Sequence, residues 1–116
     1  MNDLPANVLG VSAEGKITGT DYETVLIPAI EEKLKTNKKI RMLYHLGNNF
    51  NGFDLNAMLD DAKMGMKHLS AWDRIALVSD QELINIFAKF FGHMLSCELR
   101  IFKNAELEKA KKWITD

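Results

Sequence analysis

The fold is decided by the apolar run Ile40-Arg41-Met42-Leu43-Tyr44, which lies near the middle of the chain. Two similar runs flank it, Val8-Leu9-Gly10-Val11 before it and Ile75-Ala76-Leu77-Val78 after it. Longer segments in which apolar residues recur at helical spacing separate these runs. Short apolar runs that alternate with helical segments are typical of a parallel sheet crossed by helices. The sequence therefore predicts an α/β domain with helices packed on a mostly parallel sheet.

Length and composition restrict the class of protein. The chain has 116 residues, which suits one domain over residues 1–116. It carries 15 basic and 16 acidic residues, whereas a nucleic-acid binder needs a clustered basic field, so we expect no nucleic-acid partner. Cys97 is the single cysteine, which fits a reducing compartment. We find neither a secretory signal nor an apolar run near the roughly 20 residues of a membrane-spanning helix, and expect a cytoplasmic protein or one at a membrane surface.

The pattern along the chain predicts four β-α units. The predicted strands are Asn7–Ala13, Lys39–Leu46, Arg74–Val78 and Glu98–Phe102. Helices are predicted to begin at the capping boxes Thr20–Glu23 and Ser79–Glu82 and at the caps Asp54 and Asn104. The first helix presents Tyr22, Val25, Leu26 and Ala29 on one face. Pro28 predicts a kink or a short turn in it, and Gly47–Phe53, which is rich in Gly and Asn, predicts a loop.

Several segments taken together resemble a known family. They are Asp21–Ala29, Lys39–Tyr44, Gly52–Leu55, Asp60–Gly65 and Trp72–Ala76. These segments resemble the bacterial SpoIIAA-like proteins over nearly the whole chain. The resemblance implies a fold shared with STAS domains and CRAL-TRIO lipid-binding domains: a right-handed β-α superhelix with about four mostly parallel strands.

The resemblance does not extend to the regulatory chemistry of STAS domains. Anti-sigma-factor antagonists of that class carry a phosphorylatable serine in the loop after the strand equivalent to Lys39–Leu46. Here the predicted loop Gly47–Phe53 contains neither Ser nor Thr. We therefore expect no phospho-serine switch in this loop, and a STAS-type interaction module without the switch stays open as one function.

The helix predicted after Ser79 is apolar around an unusually wide arc. At about 100° per residue, Phe87 and Phe91 fall on one side, and Phe90 and Met94 fall on a second side beside it. Together the two sides cover about 200°, whereas a surface helix needs a stripe of roughly 100°. Packing against both the sheet and a neighbouring helix explains the arc. The alternative is that the second side lines an apolar pocket or meets a membrane or a partner.

Methionines and two phenylalanines mark the region between the second and third strands. Met58 and Met66 lie on the apolar face of the predicted helix, while Met64 lies among polar residues. Methionine suits surfaces that repack, so a mobile lid is the alternative to an ordinary core face. Phe50 and Phe53 lie in the predicted loop, where they either fold back as anchors or enter a lipid interface.

These features predict a non-enzymatic domain that binds a small apolar, lipid-like molecule, with reversible membrane association as a further expectation. The residues predicted to line the ligand site are Met58, Met66, Phe87, Phe90, Phe91 and Met94. The residues predicted to contact a membrane or form a lid are Phe50, Phe53 and Met64. A protein-interaction module that uses the same helices is the alternative.

No cofactor, metal or catalytic residue is predicted. The three histidines are too scattered for a local metal motif. His93 precedes Cys97 by four residues, but Gly92 is expected to end the helix before that pair can form a nucleophile and its base.

Overall fold

The computed structural model of the protein describes residues 4–54, 72–92 and 97–116. The strands are β1 (Val8–Ile17), β2 (Ile40–Phe53), β3 (Trp72–Ser79) and β4 (Glu98–Phe102). Helix α1 has three consecutive parts, of which Gly19–Asp21 and Ile27–Leu34 are α-helical and Tyr22–Leu26 is a π-helical turn. Helix α2 (Glu82–Gly92) follows β3, and after β4 a 3₁₀ turn (Asn104–Glu106) leads into helix α3 (Leu107–Thr115).

The strands form one parallel sheet in chain order. In the described part of the chain the order is β1-β2-β3-β4, and every neighbouring pair is parallel. Parallel neighbours need a crossover between them, which is right-handed in nearly all proteins. The predicted α/β architecture is confirmed, and β4 has the predicted bounds. The predicted third strand is too short, because β3 already begins at Trp72 and ends at Ser79.

The loop predicted over Gly47–Phe53 is wrong, because β2 continues through this segment. Ala13 pairs with Leu46, but Gly15 pairs with Phe50, so β2 has extra residues between two paired positions. The residues that suggested a loop therefore form bulges in a strand. Gly52, with φ of 108°, and Gly15, with φ of 64°, adopt backbone conformations that favour glycine. Beyond the end of β3, β1 and β2 thus continue as a two-stranded extension.

Helix α1 begins two residues earlier than the predicted box at Thr20–Glu23. The N-cap is Thr18, whose hydroxyl accepts a hydrogen bond from the Asp21 backbone N–H at 3.2 Å. In return, Asp21 Oδ2 accepts from the Thr18 N–H at 2.9 Å. The aspartate thus plays the part usually taken by Glu or Gln in a capping box.

The predicted interruption at Pro28 takes the form of a wide turn, and the helix does not stop. Ile27 keeps helical angles, with φ of −61° and ψ of −46°, and its N–H donates to the carbonyl of Tyr22 five residues back. Proline has no N–H to donate and its ring crowds the preceding turn. We attribute the π-helical turn at Tyr22–Leu26 to this constraint.

The sheet is covered on both faces by apolar layers. On one face, side chains of β1, β2 and β3 pack with α1 and α2 around Tyr22, Ile30 and Met42. On the other face, Leu43 and Ala76 pack against α3. Helical spacing predicts Leu107, Ala110 and Ile114 as the inner face of the last helix. This is confirmed, because Ala110 and Ile114 are buried and Leu107 packs beside them. Asn104, the predicted cap, instead begins the 3₁₀ turn, whose N-cap is Lys103.

Arginines at the start of two strands hold the C-terminal end of α3. Arg41 Nη1 donates to the Ile114 carbonyl and Arg74 Nη1 to the Trp113 carbonyl, each at 2.9 Å. The guanidinium carbons of Arg74 and Arg100 each lie 5.2 Å from the centre of the Trp113 ring. Carbonyls at a helix C-terminus lack partners within the helix and favour cations, so these contacts fasten α3 to the sheet.

The burial of Ile114 predicts how much α3 contributes to stability. Ile114 is 0% exposed, so Ile114→Ala should lower the free energy of unfolding by about 2–5 kcal/mol. The exposed Lys112 on the same helix is the control, and Lys112→Ala should change it by less than about 0.5 kcal/mol. Urea denaturation measures both variants. Equal effects would mean that α3 is not part of the cooperative core.

Candidate apolar binding groove

An open groove lies between the edge strand β1 and helix α1. Its volume is about 450 Å³. The aliphatic side chains that line it are Leu9, Val11, Ala13 and Ile17 from β1 and Val25, Leu26 and Ala29 from α1. Ligand sites commonly have volumes of about 300–1,000 Å³ and mostly apolar walls. The groove therefore has the size and the lining of a small-molecule site.

One wall of the groove is formed by side chains from a single face of β1, because side chains along a strand alternate between its two faces. Leu9, Val11 and Ala13 are two residues apart, so they share the face of β1 that packs toward α1. In the described part of the chain β1 has β2 as its strand neighbour on one side and stands at the sheet's edge on the other. The layer under α1 is therefore narrower on the β1 side, and this leaves the groove open.

The helical wall includes an exposed apolar side chain. Tyr22 and Leu26 are buried against the sheet, as predicted for this helix face, but Val25 is 66% exposed. Val25 lies within the π-helical turn Tyr22–Leu26, whose wider path alters which side chains face the sheet. Turns of this kind are frequent at functional sites.

Two tyrosines join the groove to the core beneath it. The hydroxyl oxygens of Tyr22 and Tyr44 lie 3.0 Å apart, within hydrogen-bond distance, and both residues are buried. Buried tyrosine hydroxyls need a hydrogen-bond partner, and here each supplies one for the other. The pair links α1 to β2 and holds the wall in place.

Among the described residues, the two charged ones in the groove lining are both acidic. They are Glu14, from the β1 end of the groove, and Asp21, from the first turn of α1. Both residues are exposed. Asp21 is held by its capping contacts, since its Oδ2 also lies 3.1 Å from the Thr18 hydroxyl. Ligands in parallel sheets usually bind beyond the carboxyl ends of strands, and Glu14 lies toward that end of β1.

The structure does not describe where the side chains predicted to line a ligand site lie, so it does not test that prediction. Met58, Met64, Met66 and Met94 lie outside the described residues. Phe53, Phe87, Phe90 and Phe91 lie in a described strand or helix, but the placement of their side chains is not described. Their assignment to a ligand wall, lid or membrane contact stays a prediction.

Phe50 belongs to the core. It is 4% exposed and packs in the layer under α1 and α2, although it comes from the segment predicted to be a loop. The prediction that Phe50 contacts a membrane or forms a lid does not fit this burial. The alternative, an aromatic anchor, is what the structure shows, because the side chain comes from a strand and points into a packed layer.

Helix α2 turns one apolar side inward and leaves part of another exposed. Ile84 and Ala88, which helical spacing places on the same side as Phe87 and Phe91, pack against the core. Ile86, on the second side, is 64% exposed. At the start of this helix, the Ser79 hydroxyl accepts from the Gln81 N–H at 3.0 Å, in place of the predicted capping box.

The sequence predicts the helix face that lines the groove but not the groove itself. Helical spacing places Tyr22, Val25, Leu26 and Ala29 on one face, but it does not show what covers that face. A wide apolar helix face over a strand that begins the chain is the signal that could have revealed the groove, because a first strand in a sequential sheet stands at its edge.

Cys97 is poorly placed for nucleophilic chemistry. It is half-buried, and burial raises the pKa of its thiol, with a smaller contribution from the negative charge of Asp73. A thiol with a raised pKa stays protonated at neutral pH and reacts slowly. His93, which the sequence places four residues before it, lies outside the described residues.

Two further findings concern metals and membranes. Among residues 4–54, 72–92 and 97–116, no three His, Cys, Asp or Glu side chains come together as metal ligands. Within the same ranges, none of the helices has both the length and the apolar character needed to span a membrane.

Comparison with known proteins identifies a family and a structural neighbour. The family model described as SpoIIAA-like matches residues 8–115. The crystal structure is of an uncharacterized protein from the DUF3478 family with a SpoIIAA-like fold from Shewanella loihica PV-4. It is 27% identical, has a TM-score of 0.75, and the match covers 90% of this chain and 82% of that one. No curated protein matches the chain.

The raised pKa of Cys97 predicts a pH-dependent reactivity and stability. Alkylation of the folded protein by iodoacetamide should reach half its maximal rate at a higher pH than alkylation of the urea-unfolded chain. The unfolded thiol loses its proton first as pH rises. The stability that Cys97 contributes is therefore fully present below the unfolded pKa and is lost as pH rises through the folded pKa.

Cys97→Ser is the control for the stability measurement and should remove this part of the pH dependence. A folded midpoint at or below that of the unfolded chain would contradict the assignment.

Proposed function

The chain belongs to the SpoIIAA-like family, and from that premise we propose that it is a non-enzymatic domain that binds a small apolar molecule. The proposed site is the groove between β1 and α1. We propose further that the domain works in the cytoplasm, takes no cofactor and binds no nucleic acid. Reversible contact with a membrane surface would let it collect an apolar ligand.

The observation that carries this proposal is the groove itself. A volume of about 450 Å³ opens to solvent beside Val25, an apolar side chain that the fold leaves 66% exposed. Covering apolar surface contributes roughly 25 cal/mol per Å². A ligand that covers Val25 and the facing wall of β1 would gain this free energy without a large rearrangement, because both walls are held by regular elements.

The lining supports binding more than catalysis. The groove is formed by aliphatic side chains, two tyrosines that share a hydrogen bond, and two exposed carboxylates. The cysteine, which is the strongest nucleophile type in the chain, has a raised pKa and is not part of the groove lining.

Filling the groove tests the proposal. Ala29→Trp places a large ring on the α1 wall, and we expect it to weaken binding of Nile red, a neutral apolar dye, at least tenfold. Ala105→Trp is the matched control, because Ala105 is exposed on the 3₁₀ turn and does not line the groove. Fluorescence titration measures the affinity, and circular dichroism checks that both variants fold.

Phe90→Ser in the same titration separates the groove from the wall predicted from the sequence. Loss of binding in Phe90→Ser with normal binding in Ala29→Trp would overturn the groove and favour the sequence-predicted wall. Absence of binding by the wild-type protein at micromolar dye would overturn the proposed function.

A protein-interaction module is the second candidate, and the exposure of Ile86 supports it. An aliphatic side chain that is 64% exposed on a regular helix is a suitable anchor for a partner. In this case a photo-crosslinking residue at position 86 should capture a protein partner in cells, whereas the same residue at position 89 should not, since Lys89 lies on the polar side of α2. Capture at both positions or at neither would contradict this candidate.

A further inference from the structure

We propose that the groove selects apolar molecules that carry a positive charge, such as long-chain amines; this inference rests on the proposed function. Its basis is the charge of the groove lining. Glu14 and Asp21 are the charged residues that line the groove in the described part of the chain, and both are acidic. A ligand that is apolar at one end and cationic at the other matches both the walls and the rim.

Within the described residues, neither carboxylate forms an ion pair. Among residues 4–54, 72–92 and 97–116, the ion pairs involve other acidic residues, and neither Glu14 nor Asp21 takes part in one. Lys16 is the nearest basic residue to Glu14 along β1, but it is exposed and does not line the groove. Their negative charge is therefore available to a ligand.

The position of the carboxylates suits a ligand with one charged end. Both residues are exposed, whereas Leu26, Tyr22 and Tyr44 form the buried part of the lining. An amine at the rim would keep part of its hydration while its chain is buried, which avoids the cost of burying an unpaired charge. A carboxylate head at the same place would meet like charges.

The helix cap fixes the direction of this preference. Asp21 Oδ2 accepts the Thr18 N–H at 2.9 Å, and the same oxygen lies 3.1 Å from the Thr18 hydroxyl. The carboxylate is thus held in place before any ligand arrives. Because this carboxylate is already ordered, binding loses little conformational entropy there. Its charge also distinguishes ligands by the sign of their own charge.

The test compares three ligands with the same chain: decylammonium, decanol and decanoate. Isothermal titration calorimetry with the wild-type protein at neutral pH should show decylammonium binding about three- to fivefold tighter than decanol, as expected for exposed charge pairs, and decanoate binding most weakly. Added NaCl should reduce this difference, since exposed charges are screened.

Glu14→Gln should lower the affinity for decylammonium and leave the affinity for decanol unchanged. Glu23→Gln is the matched control, because Glu23 is an exposed residue of α1 that does not line the groove, and it should leave both affinities unchanged. Glu14 is preferred to Asp21 for the substitution, since Asp21 also caps α1.

The outcomes separate the two proposals. If decanol binds but decylammonium binds no tighter, or if decanoate binds tightest, the charge preference is wrong and the apolar groove stands. If none of the three ligands binds, the proposed function fails and this inference fails with it. An equal effect of Glu23→Gln would overturn the assignment of the preference to the groove rim.

Discussion

Every layer of this domain depends on the burial of strand β2 on both of its faces. Met42, Tyr44 and Leu46 enter the layer under α1 and α2, while Leu43 enters the layer under α3. A strand between two parallel neighbours is covered by other elements on both faces of the sheet. Its side chains on both faces are therefore apolar, and its sequence is apolar almost continuously. The apolar run that begins at Ile40 can be buried on both faces, and both neighbouring strands pair with β2 without a register shift from Arg41 to Leu46. Strands β1 and β3 pair with β2, and both apolar layers of the domain include its side chains.

The same construction makes the β1 edge the place where burial is incomplete. Helix α1 is long enough to cover β1 and β2, but beyond β1 the described part of the sheet has no further strand for it to cover. Apolar side chains on the outer part of α1 are then left beside open space, and Val25 shows the result. A fold selected only for stability gains nothing from such exposure. A fold that must admit an apolar molecule needs an opening of this kind.

How far the sequence predicts the structure differs between elements for physical reasons. The strand Glu98–Phe102 and the inner face of α3 follow from periodicity, because burial on a regular element leaves a regular pattern. The segment Gly47–Phe53 was misassigned because glycine and asparagine serve bulges as well as loops, and only the pairing of Gly15 with Phe50 distinguishes the two. Composition records that the backbone must bend there, but not whether the strand continues.

The candidate site is harder to predict than the fold, because it depends on the position of helix α1 relative to the edge of the sheet. The apolar face that contains Val25 was visible in the sequence, but its exposure follows from the position of β1 and from the π-helical turn before Pro28. Neither is a property of the face itself. The acidic rim was missed for a similar reason, because Glu14 and Asp21 are seven residues apart and lie on different elements.

Asp21 connects the stability of the domain with its proposed specificity. As the capping residue of α1 it compensates backbone groups that the first turn leaves without partners, and this role alone explains a carboxylate at that position. Because the helix starts beside the groove, the same carboxylate also lies where we propose that a cationic ligand binds. Two bonds to Thr18 end on Oδ2, so capping does not use Oδ1. Asp21 can therefore cap the helix through Oδ2 and interact with a cationic ligand through Oδ1 at the same time.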